Sequence, residues 1–121
     1  MCELLGVDLI KRLKSLRETP ILIFSGQVDY KHTTYSTKLK NIRTFGTAEI
    51  NILPIVKPLT KYCEIIKKPN DVRYILEKAY YYALNGRPGP VWLDVPLNIQ
   101  KQEIDFKKLR KFNPKIIRTK K

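Results

Sequence analysis

Asp94 is a polar residue at the kind of position where a parallel sheet can hold a ligand. It sits near the C-terminal end of Val91–Val95, a short β-prone run with little polar alternation. Such a run suits a strand covered on both faces of a parallel sheet, and open α/β sheets hold ligands at the carboxyl ends of their strands. The other residues with chemical potential are scattered. Cys2 and Cys63 stand alone, without metal-ligand spacing, and are read as free thiols.

The segment Gly86-Arg87-Pro88-Gly89-Pro90 leads into that strand. Gly86 falls where a helix ending near Asn85 needs a residue that tolerates positive φ. Pro88 and Pro90 then forbid helix continuation, since each lacks an N–H and fixes φ. Upstream, Val72, Ile75, Leu76, Ala79, Ala83 and Leu84 recur at helical spacing, with Asn70 as the expected cap and Asp71 near the positive end of the dipole. Tyr80-Tyr81-Tyr82 on this helix is read as packing rather than as a base-stacking platform. Leu4–Leu16 has the same helical periodicity and ends at Thr19-Pro20. Ile21–Ser25 follows as a second buried strand, closed by Gly26-Gln27-Val28. Asp29–Arg43 is polar and predicted as loop, Thr47–Ile55 as a helix, and Tyr62–Ile66 as a third strand.

Helix, strand and glycine loop in this rhythm predict an α/β fold with a partial, doubly wound parallel sheet in three layers, αβα. Three strands leave two exposed edges, so the sequence reads as part of a larger sheet. Association with the rest of a split enzyme, or a homo-oligomer through those edges, is expected.

The 121 residues allow one domain. The longest apolar runs, such as Ile21–Phe24, are far too short to span a bilayer. Met1–Gly6 lacks a signal pattern, which leads us to expect a cytoplasmic protein without membrane contact. Net charge is +13 and the isoelectric point about 9.9. Eight Lys and Arg fall in the fifteen residues from Lys107 onward, leaving +5 over the rest. That distribution fits a solvated basic tail, or the start of a linker, over 101–121 rather than a base-reading surface. A basic, non-catalytic module that binds nucleic acid or another polyanion is the alternative reading of the chain.

Four blocks, in order, resemble the N-terminal, pyrimidine-binding domain of thiamine-diphosphate enzymes of the acetolactate synthase large-subunit kind. They are Thr19–Val28, Phe45–Ile50, Val56–Tyr62 and Gly86–Gln100. The resemblance covers residues 20–100 and makes 1–100 part of such a domain, corresponding to its C-terminal half. It implies decarboxylation or carboligation of pyruvate-like 2-oxo acids, with thiamine diphosphate and Mg²⁺ as cofactors and FAD as a structural one. The cofactor supplies the electron sink, and protein groups orient and transfer protons.

The departures are as informative. The family's proton-relaying glutamate would fall before Met1, and neither Glu3 nor Glu18 has its context. The magnesium motif belongs to another domain, and the resemblance assigns no metal ligand here. No catalytic residue is therefore placed in this sequence, and the chain alone is expected to be inactive and to bind no cofactor. Ala48 stands where the family usually carries Gln, and Leu97 where acetolactate synthases often carry Lys. Arg87 matches the family's FAD-contacting arginine. A guanidinium can clamp phosphate oxygens in pairs or stack on a ring, but it can equally cap the helix C-terminus through the dipole. Gln27 and Glu49 match positions near the family's active site, and are read here as a turn amide and a helix-start carboxylate.

Overall fold

The computed structural model describes residues 15, 18–39, 41–42, 45–46 and 48–115. Its frame is a sheet of three parallel strands, β1 (Ile21–Gln27), β2 (Tyr62–Ile65) and β3 (Pro90–Pro96), in the order β1-β3-β2. The last strand in sequence is thus the central one. Pro90 opens it, where a missing N–H does least harm to the ladder, and all of its residues but Val95 are buried. The register sets Asp94 beside Ser25 on one side and Ile65 on the other.

Alternation along β3 divides the core. Val91, Leu93 and Val95 face the first cluster, with Leu22, Ile66 and Ile99 and with Ile75, Ala79 and Ala83 of the main helix, α2 (Val72–Leu84). Trp92 faces the second, smaller cluster with Val56, Ile23, Ile52, Leu53 and Cys63. There the cover is a single turn, α1 (Leu53–Val56), continued by a 3-10 turn over Lys57–Leu59. The helices on the two faces and the parallel sheet between them are the expected αβα layers. A one-turn helix, α3 (Leu97–Gln100), follows β3 directly.

Several boundaries differ from the sequence reading. The helix over Thr47–Ile55 shrinks to Leu53–Val56, because Pro54 belongs in the first turn, where its absent N–H costs nothing. Before α2, a 3-10 turn takes Pro69–Asp71, so Asp71 rather than Asn70 occupies the cap position, and it makes no side-chain cap bond. Leu84 points away from the core and is exposed. The loop over Asp29–Arg43 contains two 3-10 turns, Tyr30–His32 and Thr34–Ser36. Gly86 adopts φ 69°, as its place after α2 requires. The helix expected over Leu4–Leu16 lies, but for one residue, outside the described residues.

The tyrosines of α2 pack. Tyr82 stacks on Tyr62 with ring centres 5.3 Å apart, and Tyr81 meets Phe112 at 5.5 Å, while Tyr80 is exposed. Phe112 belongs to the basic tail, whose described residues, 101–115, are largely exposed yet are anchored across α2. It also meets Tyr74 at 5.5 Å, and its N–H donates to Glu77 Oε2 at 2.8 Å. The Arg73 guanidinium lies 4.7 Å from the Phe106 ring centre and donates to Phe106 O, and that of Arg110 lies 4.0 Å from the Tyr74 ring centre. No helix among the described residues is long and apolar enough to cross a membrane.

Leu93 is fully buried at the centre of the first cluster. Leu93→Ala is expected to cost about 3 kcal/mol of stability, transfer and cavity terms together, read as a lowered urea midpoint with an unchanged slope.

Candidate functional site

The carboxyl edge of the sheet gathers four polar side chains into one network on the Trp92 face. Trp92 Nε1–H donates to Ser25 Oγ (2.8 Å), and the Ser25 hydroxyl donates to Asp94 Oδ1 (2.7 Å). Gln27 Nε2 donates to Asp94 Oδ2 (2.9 Å) and to the carbonyl of Ile50 (2.6 Å), while its Oε1 accepts from Val28 N–H (3.0 Å). Strand parity explains the grouping: Ser25 and Gln27 on β1, and Trp92 and Asp94 on β3, all project to the same side. Asp94 is 1% exposed. Burial pushes its carboxyl above the ordinary value, and the bonds from Ser25 and Gln27 oppose that rise. These residues border a cavity of about 140 Å³ with Ile50 and Ile52. Among the described residues no buried side-chain polar atom lacks a partner, so the network is complete as it stands.

A second buried carboxylate, Glu49, fastens the neighbouring loops. Its Oε1 accepts from the N–H and hydroxyl of Thr34 (2.7 and 2.9 Å), and its Oε2 from Phe45 N–H (2.8 Å). Burial alone would raise this carboxyl, but the N–H groups of Thr34, Phe45 and Gly46 and the Thr34 hydroxyl outweigh it and hold it below its ordinary value. Glu49 is therefore a loop staple and not the helix-start carboxylate expected, since α1 begins four residues later. Gly46 is required at its position because a Cβ there would stand 2.7 Å from the His32 carbonyl oxygen. Beside it, Val28, His32, Phe45, Gly46 and Ala48 line an open cleft of about 350 Å³.

Arg87 lies elsewhere, at the amino edge of the sheet. It lines a cleft of about 300 Å³ with Pro58, Leu59, Thr60 and Lys61, and its guanidinium pairs with Glu18. Both side chains of that pair are exposed. The helix end is served by other groups: Asn85 N–H returns to Tyr81 O, and Lys61 Nζ donates to Asn85 O. The structure thus separates Arg87 from Gln27 and Glu49 by the length of the strands.

Gln27 does more than the turn amide read from sequence, since it bridges two strands and a loop. Ser25 and Trp92 were not singled out by sequence reading. Their signal was parity with Asp94, usable only once β1 is known to pair with β3.

An open, all-parallel sheet with helices on both faces places the chain in the doubly wound α/β class. No family model matches the chain. Its sequence is 34% identical over 92 residues to the acetolactate synthase large subunit of Corynebacterium glutamicum, covering 76% of this chain and 13% of that protein. It is 37% identical over 90 residues to a probable acetolactate synthase large subunit of Methanocaldococcus jannaschii, covering 74% and 14%. With the Haemophilus influenzae large subunit it shares 32% over 105 residues, 80% of this chain and 17% of that one. About three quarters of the chain is thus similar to part of acetolactate synthase large subunits, and the chain spans about one seventh of the length of these curated relatives.

Glu49→Gln places an amide N–H against backbone N–H donors and is expected to cost about 1–3 kcal/mol at neutral pH. Because the carboxyl is held low, its contribution is complete above its ordinary value of 4.5 and fades as pH falls through the lower folded value. Urea unfolding of both proteins across that range should show the gap between them closing towards acid.

Proposed function

We propose that this chain forms part of a thiamine-diphosphate-dependent enzyme of the acetolactate synthase kind, contributing the C-terminal half of its pyrimidine-binding domain. In such an enzyme a pyruvate-like 2-oxo acid is decarboxylated and joined to a second carbonyl compound. The observation that carries the reading is the similarity over three quarters of the chain, on a parallel sheet that gathers Gln27, Glu49 and Asp94 at its carboxyl edge. That edge is the side turned to the reaction. Thiamine diphosphate, when bound, supplies the electron sink.

The chain's own residues supply shape and placement. Asp94 and Glu49 each have both carboxylate oxygens bonded within the fold, which ties the one to the strands and the other to the loops beside them. Among the described residues no group of three His, Cys, Asp or Glu could hold a metal ion, and by this reading the ligands of Mg²⁺ and the diphosphate come from the rest of the enzyme. Arg87, the residue that the resemblance relates to FAD, lies with Lys61 beside one cleft, and an anionic cofactor there would replace Glu18 as the partner of its guanidinium. By this reading the chain on its own is inactive. Its partner is the remainder of a split enzyme or a second copy, meeting the open edges of β1 and β2.

Two measurements test this. The purified chain is expected to release no CO₂ from pyruvate in the presence of thiamine diphosphate and Mg²⁺, and release would overturn the assignment of inactivity. Residues 20–100, placed in the Corynebacterium glutamicum protein in place of its matching segment, should give a chimera that binds added FAD, with Arg87→Ala lowering the flavin content several-fold. A folded chimera whose flavin content ignores Arg87 would remove that residue's role.

A further inference from the structure

The segment Ala48–Ile52 crosses the carboxyl edge without belonging to helix or strand. It carries Ala48, which lines the open cleft, and Glu49, which fastens Thr34 and Phe45. Gln27 Nε2–H to Ile50 O is the bond that ties it to the sheet, beside the Tyr35 hydroxyl donated to Asn51 Oδ1 and the packing of Ile52 in the second cluster. The same carbonyl accepts the N–H of Ile52, and Ile52 O in turn accepts the N–H groups of Ile55 and Val56 at the start of α1. A displacement of Ile50 is therefore passed directly to the cover of the Trp92 face.

Gln27 is oriented for this by Asp94. A carboxylate accepts only, so Asp94 Oδ2 obliges the amide to turn its Nε2 inward. That turn leaves the second N–H for Ile50 and the oxygen for Val28. Reversing the amide would set its oxygen against both a carboxylate and a carbonyl, two acceptors at once. Ser25 and Trp92 fix the carboxylate from the other side. We infer that Asp94 and Gln27 are positioning residues that act in series, the buried carboxylate setting the amide and the amide setting the segment that carries Ala48 and Glu49. The series is a property of the fold, and only its use at a reaction edge rests on the proposed function.

The test reads amide hydrogen exchange in the purified chain, with no cofactor present, so that its outcome is independent of catalysis. Gln27→Glu replaces the donor by an acceptor facing Asp94 and Ile50. The Ile52 amide should exchange about tenfold faster or more, while Ala79 and Ala83 in α2 keep their protection. In the double variant Gln27→Glu with Asp94→Asn, the Asn amide can donate to the new carboxylate. Overall stability should recover, yet Ile52 should stay fast, because Glu cannot donate to Ile50. Gln27→Met gives the same Ile52 reading without added charge, should Gln27→Glu not fold. Ser25→Ala, in contrast, leaves both Gln27 donors in place, and should shift the Trp92 indole N–H resonance while accelerating Ile52 far less than Gln27→Met does. Unchanged Ile52 exchange in folded Gln27→Met would overturn the proposal, as would restored Ile52 protection in the double variant. So would equal acceleration at Ile52 and in α2, which would mean only global loosening.

Discussion

A carboxylate buried in the central strand sets the terms for much of this molecule. Asp94 is almost without solvent contact, and an unsatisfied group of that kind costs several kcal/mol. It must therefore be met by donors from the neighbouring strand. Ser25 and Gln27 supply them, which requires β1 to lie beside β3 in a register that brings Ser25 level with Asp94. A slip of one residue would turn both donors to the other face. The polar network thus reinforces the pairing that Val91 and Leu93 demand from the opposite face.

The two buried carboxylates of the edge behave oppositely for a simple reason. Glu49 is met chiefly by backbone N–H groups, enough to hold it charged. Asp94 meets one hydroxyl and one side-chain amide, and burial wins. Acidification removes the support that Glu49 gives, whereas protonation of Asp94 relieves a cost that its charged form imposes on the folded state.

Legibility from sequence followed the range of the interactions. Gly86 to Pro96 stated its structure plainly, because a positive-φ glycine, two prolines and an apolar run each act locally. The stripe of α2 was readable for the same reason at Ile75, Ala79 and Ala83. Leu84 failed because periodicity does not say where the neighbouring sheet ends. Thr47–Ile55 failed because the apolar positions suggested a longer helix than Pro54 at its start allows. The network was hidden: its members lie 67 and 69 residues apart, and only the strand order unites them. Arg87 was found by resemblance, and its surroundings, Glu18 and Lys61, came from the fold.

The segment from Asp105 to Phe112 has a bearing on where this folding unit stops. Its arginine and two phenylalanines are committed to the outer side of α2, where Arg73 and Glu77 each hold both their own helix and the segment. Trimming at Gln100, the border suggested by the resemblance, would leave Tyr74 and Tyr81 without Phe112 and Asp71 without Arg110. A stretch that looks like surplus positive charge is in this respect the outer wall of the helix it crosses.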